Sequence, residues 1–475
     1  MRHSYLLAFF LCLGQLLHAQ NDPVTDFVNA PELSQASIGL LVKNLETGAV
    51  VASHDPMVCR IPASVTKVIT TATAMEILGD TFRFRTRIEM TGQIVDSVLK
   101  GNLYIRGGGD PTLESEYNPT KNTFYTSVLE KVQSLGIKRI EGHIVGDASY
   151  FQEDGAPFGW LIEDHGSHYA PTPSSLSIHD NRIKFVVTSD SNGCSLSKIT
   201  PYTPLFTPRL MLSQKGKDAD WRITKADFSW QPAVQGSVPM NTCQNMMTEI
   251  PEPALFAADS LRRLLIGNGI IVTESAVTTR KFDSEPNRKE ILCFKSSRLK
   301  EIEQKTNYIS INWYAENIFR ILSKKQDSIA PCTDWRAAQV ISKFWNGKSA
   351  AANKVFQVDG SGMSMKNALS PQYLVDALSY MYKDSKNFKS FLSTLPIAGK
   401  SGTVAGFLKG TKLEGKAYVK SGSMTRVLNY AGYINVGNKW YAFCVMVSNF
   451  TDKKLLKQQI TKVLTETIEE DTLIP

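Results

Sequence analysis

Ser64-Val65-Thr66-Lys67-Val68-Ile69-Thr70-Thr71-Ala72-Thr73-Ala74-Met75-Glu76-Ile77-Leu78-Gly79 is the stretch from which the rest of the chain can be organised. Small and apolar residues at Val65, Val68, Ile69, Ala72 and Met75 repeat at helical spacing, and Gly79 ends the run, so a helix is expected from Ser64 to Leu78. Ser64 and Lys67 then stand one turn apart on one face at the positive end of the helix dipole. Upstream, the apolar runs Ile38–Val42 and Val50–Ser53 flank Glu46-Thr47-Gly48, which reads as a hairpin. A strand pair feeding a helix opens an α/β domain.

Beyond Phe82 the texture changes to short strands broken by Gly, Pro, Asn and Ser, as in Gly107-Gly108-Gly109-Asp110-Pro111 and Asp190-Ser191-Asn192-Gly193. A separate β-rich insert is expected over residues 83–284, built of two nested modules. Helical texture returns at Ser310–Ser323 and Ser370–Tyr382. Ala417–Val419, Leu428–Ile434 and Trp440–Val447 then read as antiparallel strands with a turn at Gly437-Asn438. A last helix, Lys453–Glu469, carries Leu456, Ile460, Val463, Leu464 and Ile468 on one face. The catalytic domain is therefore expected in two parts, residues 20–82 and 285–475.

Met1-Arg2-His3, an apolar run from Leu6 to Leu17, and Ala19 before a polar stretch read as a secretory signal peptide over residues 1–19. The chain is 475 residues long, 42% apolar and 9% aromatic, the profile of a globular protein. Its +8 net charge is spread along the sequence, which argues against nucleic acid and for an anionic envelope polymer as partner. Six cysteines follow the signal without Cys-x-x-Cys spacing, so no metal site is indicated; Cys194 and Cys243 are close enough in sequence to bridge, and free thiols are the alternative. His165 and His168 lack a further ligand pair and read as a solvated loop. Asp359 reads as a loop-shaping residue.

Ser-x-x-Lys occurs four times, at Ser64/Lys67, Ser97/Lys100, Ser195/Lys198 and Ser297/Lys300. Ser97 falls in a strand pattern, Ser195 in a Ser/Gly loop and Ser297 in a charged stretch. Only Ser64 opens an apolar helix, where the plainer role of a serine is an N-cap. Ser310-Ile311-Asn312 sets a hydroxyl and an amide just before a helix. Lys-Ser-Gly occurs at Lys400-Ser401-Gly402, in a loop, and at Lys420-Ser421-Gly422, on a strand end whose outward N–H groups suit an extended peptide.

Ser64/Lys67, Ser310/Asn312 and Lys420-Ser421-Gly422, in that order, match the motif set of penicillin-binding proteins and class A β-lactamases. The 246 residues from Ser64 to Ser310 exceed what a β-lactamase needs. With that insert, the segments Leu103–Leu113, Ile144–Phe151, Asp359–Ser364 and Leu395–Gly399 make the chain resemble the D-Ala-D-Ala carboxypeptidase/endopeptidase group of peptidase family S13, the low-molecular-mass class C penicillin-binding proteins. Ser421 and Ser423 stand where threonine is common in the family, and both keep a hydroxyl.

The resemblance implies an α/β (α+β) serine transpeptidase/β-lactamase-like domain, an antiparallel sheet flanked by helices, with a large β-rich inserted region. It implies acyl transfer on peptidoglycan stem peptides, inhibition by β-lactams, no cofactor, at most peripheral membrane contact, and a location in the periplasm or cell envelope. Ser64 would attack the carbonyl between two D-alanines, its proton passing to neutral Lys67, whose amine nearby Lys420 and partial burial would hold below its usual range. Ser310 would relay a proton to the leaving amine and Asn312 would hold the substrate amide. Lys420 and Ser421 would bind the terminal carboxylate, Gly422 belongs to the same strand motif, and the N–H groups of Ser64 and Ser423 would form an oxyanion hole. A secreted β-lactamase and a non-catalytic penicillin-binding sensor are the rivals; the first needs a deacylating glutamate loop that the sequence does not reveal, the second has usually lost a polar group of the motifs. Because the motifs lie outside the insert, the insert is expected to be dispensable for reaction with a small β-lactam.

Overall fold

The computed structural model describes residues 22–473 apart from 119–122, 153–154, 282–286 and 326–330, so the expected signal peptide lies outside the described residues. The central sheet is antiparallel throughout, in the order Ala417–Met424, Val427–Val436, Lys439–Ser448, Ser37–Asn44, Val50–His54. Its inner strands are buried over nearly their whole length because both faces are covered. Successive residues alternate between the two covers. Leu41, Ala431, Tyr433, Cys444 and Met446 face a helical core with Val68, Ile69, Trp313 and Tyr373. Leu40, Tyr430, Ile434, Phe443 and Val445 face Phe27 and the terminal helix Lys453–Leu473, through Leu456, Ile460 and Leu464.

The chain leaves this body at Arg85. Arg85–Met90, Leu103–Arg106, Ile144–Asp147, Ala276–Thr279 and Lys289–Lys295 form one sheet, with Lys289–Lys295 pairing Arg85–Met90. The sheet that opens at Arg85 thus closes at Lys295, past the boundary of 284 expected from texture, because the returning strand is held by pairing rather than composition. A four-stranded sheet lies beside it, and residues 182–249 supply two further three-stranded sheets. One hydrophobic core of buried side chains, drawn entirely from residues 88–272, binds these sheets together.

Several local readings change. Ser97 sits at the left-handed turn between Gln93–Val95 and Val98–Lys100. Ser195 lies inside the strand Gly193–Thr200, whose exposed face gives it a loop-like composition. Cys194 and Cys243 lie on strands either side of Arg182–Asp190 and do not bridge; all six described cysteines are free.

Candidate active site

The segment entering the Ser64 helix is held by the sheet. Asn429, near the start of its strand, donates to the carbonyls of Ile61 (3.0 Å) and Pro62 (2.7 Å) and accepts from the Val447 N–H (3.1 Å). Ala63 is left-handed (φ 47°), an unfavourable conformation for a residue with a Cβ. Its carbonyl accepts from Thr66 Oγ1 (2.8 Å), and a Cβ at Gly362 would fall 1.9 Å from that same oxygen. Ser64 itself lies in a short 3-10 turn, Ala63–Val65, that runs into the α-helix Thr66–Leu78, and it caps nothing.

Freed from capping, the Ser64 hydroxyl faces Lys67. Lys67 Nζ is within hydrogen-bond distance of Ser64 Oγ (2.9 Å), Asn312 Oδ1 (2.7 Å) and the Ser361 carbonyl (2.8 Å). A neutral amine has two N–H donors and one lone pair. Two acceptors with no proton to give, Asn312 Oδ1 and Ser361 O, take both donors and leave the lone pair toward the Ser64 O–H. Complete burial of Lys67 brings its amine down to about 7, against the opposing pull of Glu316 and Asp359. The expectation that Lys420 and partial burial would do this is therefore corrected: full desolvation is the cause, and Lys420 is itself held well below its ordinary value by burial and by Lys67.

Glu316, invisible as a site residue in the sequence, is fully buried and accepts from the N–H groups of Gly360 (3.0 Å) and Ser361 (2.8 Å), which fixes the Ser361 carbonyl on Lys67. Burial and neighbouring Asp359 push its carboxyl up to about 8. The available signal was its place four residues after Asn312, on the same helical face. Asp359 shapes the loop, accepting from the N–H groups of Gly362 and Ser364, Asn367 Nδ2 and Trp160 Nε1 (3.0 Å).

The remaining candidates close around this pair. Ser310 is left-handed (φ 60°), and its Oγ accepts from Lys420 Nζ (3.0 Å), which also donates to the Ser421 carbonyl (2.7 Å). Asn312 donates through Nδ2 to the Tyr169 carbonyl (2.8 Å). On the sheet's outer edge, Pro396–Ala398 pairs with the strand only as far as Val419, whose N–H reaches the Pro396 carbonyl (2.9 Å). By the two-residue alternation of a strand, the N–H groups of Ser421 and Ser423 point to the same side, where that cover has ended. Ser421 Oγ shares a hydrogen bond with Thr403 Oγ1 (2.7 Å), so the loop bearing Lys400-Ser401-Gly402 borders the site through Thr403. Gly422 lies over the helix start: a Cβ there would sit 3.0 Å from the Ser64 nitrogen and 2.8 Å from the Pro62 carbonyl. Ser423 Oγ accepts from Lys453 Nζ (2.8 Å). His165 lies beside Asp227 at 3.8 Å, and the His168 ring packs edge-on against Tyr169, the residue whose carbonyl holds Asn312.

A serine hydroxyl on a buried, proton-poor amine, at a helix start beneath an open sheet edge, is an arrangement suited to serine acyl transfer, on a penicillin-binding-protein-like fold. The model of the D-Ala-D-Ala carboxypeptidase 3 (S13) family matches residues 20–467. The D-alanyl-D-alanine carboxypeptidase DacB of Haemophilus influenzae is 24% identical over 448 residues, 89% of each chain. A D-alanyl-D-alanine carboxypeptidase of Actinomadura sp. (strain R39) is 25% identical over 439 residues, 89% of this chain and 79% of that one. The crystal structure of penicillin binding protein 4 (dacB) from Haemophilus influenzae superimposes with a TM-score of 0.80 at 22% identity, covering 94% of this chain and 98% of the other. The chain belongs to the D-Ala-D-Ala carboxypeptidase 3 (S13) family and is a serine-type D-Ala-D-Ala carboxypeptidase.

Proposed function

We propose that Ser64 is the nucleophile, forming an acyl-enzyme with the penultimate D-alanine of a stem peptide and releasing the terminal D-alanine or, from a cross-link, the attached amine. Lys67 takes the Ser64 proton. Ser310 returns a proton to the leaving amine, with Lys420 holding its hydroxyl. Asn312 orients the substrate amide, Lys420 and Ser421 bind the terminal carboxylate, and Gly422 leaves room for the reacting carbonyl between the Ser64 and Ser423 N–H groups. The observation that carries this reading is the fully buried Lys67 amine 2.9 Å from Ser64 Oγ with its two N–H donors committed elsewhere.

Penicillin would acylate the same serine and stay. The buried carboxylates beside the site, Glu316 and Asp359, are turned onto backbone amides rather than toward Ser64, which favours a long-lived adduct over β-lactamase turnover. Residues 1–19 act as a signal peptide for a periplasmic or envelope location; among the described residues no helix is long and apolar enough to cross a membrane. The chain divides into a catalytic body, residues 20–82 and 296–475, and an insert between them.

Ser64→Ala tests the assignment. Mass spectrometry with a fluorescent penicillin should lose the adduct, and muropeptide digests should show no released D-alanine, in a protein whose circular dichroism is unchanged. An adduct that persists on Ser97, Ser195 or Ser297 would overturn it.

A further inference from the structure

At the far end of the Ser64 helix the catalytic body and the root of the insert enclose a cleft of about 660 Å³. The helix has 13 residues, so at roughly 1.5 Å per residue its Leu78 end lies about 20 Å from Ser64. Six cationic side chains line the cleft, Arg83, Arg85, Arg87, Lys295, Lys324 and Lys325, and no carboxylate among the described residues lines it with them. The floor is apolar, from Phe82, Phe84 and Tyr150.

This concentration of charge works against the fold. Arg85 and Lys295 stand directly opposite in the antiparallel register of Arg85–Met90 with Lys289–Lys295, and like charges so placed repel. Arg87 is on the same strand face and is matched by Glu290 at its rim (3.0 Å). The Arg83 guanidinium donates to the Ser296 carbonyl, and the Lys324 ammonium lies 4.3 Å from the Tyr150 ring centre. Arg85, Lys295 and Lys325 make no side-chain hydrogen bond or ion pair with a described residue. A strand pair with this pattern is stabilised by an anion that spans the gap.

We infer that this cleft is a binding site for a soluble ligand bearing several phosphate groups, separate from the acyl-transfer centre. Arginine forks and lysine ammonium groups match phosphate oxygens in charge and geometry, and the number of cations exceeds what one carboxylate neutralises. The site is concave, and none of the large exposed apolar side chains lines it, so it offers no anchor for lying on a lipid surface.

The experiment is calorimetric titration of the full protein with sodium tripolyphosphate at low salt. One equivalent should bind, with affinity falling as salt rises. Arg85→Gln/Lys295→Gln and, separately, Lys324→Gln/Lys325→Gln should each weaken binding by at least ~10-fold. Lys454→Gln/Lys457→Gln, an equal charge change on the terminal helix, should leave it within about 2-fold. Tripolyphosphate should raise the melting temperature of the parent and not of the first variant, while penicillin labelling stays equal in all of them. Equal weakening in the control, no binding at low salt, or capture only by phosphatidylglycerol vesicles would each overturn the inference.

Discussion

The Tyr169 carbonyl, part of the insert, accepts the side-chain amide of Asn312 at 2.8 Å. The contact is one of a series along the Asn312–Ile321 helix: the Arg182 guanidinium stacks 4.1 Å over Trp313, Tyr314 shares a hydrogen bond with Ser115 (2.8 Å), and Asn317 donates to the carbonyls of Gly109 and Ser174. Every residue of that helix after Asn312 is buried. The insert therefore grips the element that carries the candidate site residue Asn312, and the expectation that it is dispensable for reaction with a small β-lactam gives way to the opposite. Replacing residues 83–295 by a Gly/Ser linker should abolish penicillin labelling along with the fold of this helix, read by circular dichroism and adduct mass. More finely, Trp160→Phe, which removes the bond to Asp359 together with part of a buried indole, should slow acylation by roughly 10-fold while leaving the protein folded.

Acylation should rise with pH through about 7 as Lys67 loses its proton, and level off above. Stopped-flow penicillin acylation across pH 5–9 measures this, and a rate flat over that range would remove Lys67 as base. Stability carries the same sign. The folded-state value is depressed below the unfolded 10.5, so the unfolded chain binds the extra proton. This group's contribution is fully present above 10.5 and is lost as pH falls toward 7.

Glu316 should tolerate an amide and not a methyl. Its two carboxyl oxygens accept separately, Oε2 from the Gly360 N–H and Oε1 from the Ser361 N–H, so Glu316→Gln keeps an acceptor for one of them and turns its own amide N–H toward the other. Acylation should fall less in the glutamine variant, which keeps one of the two hydrogen bonds, than in the alanine variant, which keeps neither. Glu316→Ala leaves two buried N–H groups unpaired, which costs roughly 1–3 kcal/mol each, and the Ser361 carbonyl drifts from Lys67. Equal damage in both variants would mean that the ionised carboxylate is required.

Gly422→Ala puts a methyl group 3.0 Å from the Ser64 nitrogen. If that nitrogen serves the reacting carbonyl, acylation should fall about 100-fold or more, the scale of losing one oxyanion donor. Thermal unfolding separates this from a global effect; a melting temperature lowered without loss of rate would move the oxyanion site elsewhere.

The two Lys-Ser-Gly segments should differ sharply. Lys420 is buried against Ser310, whereas Lys400 is exposed, with its amine next to Gly415. Lys420→Ala should reduce acylation at least ~100-fold and Lys400→Ala less than about 3-fold, in side-by-side rates. The reverse ranking would place carboxylate binding at the loop.

The elements that the sequence made legible are those with a strong period: the Ile38–Val42 hairpin, the Ser64 helix and the three strands after Ala417. Ser64 and Lys67 stood out because three-residue spacing at a helix start has a direct geometric meaning. Ser195 was misread because an exposed strand of Gly, Ser, Thr and Lys has the composition of a loop. Tyr169 contributes a carbonyl, which no side-chain pattern announces. Glu316 takes its role from burial between distant segments, and the depressed amine of Lys67 follows from total desolvation, which only the packed structure defines.

The strand order sets a timetable. Ser37–Asn44 lies between Val50–His54 and the late strand Lys439–Ser448, and the edge over Ser64 comes from Ala417–Met424. A chain emerging N-terminus first exposes Ser64 and Lys67 long before either neighbour exists. The insert, whose core closes within residues 88–272, is ready sooner. Until the last hairpin docks, Asn429 is not there to pin the Pro62 carbonyl and Lys420 is not there to hold Ser310. The hydrolase is born unarmed, and a chain cut short before Val427 never becomes armed.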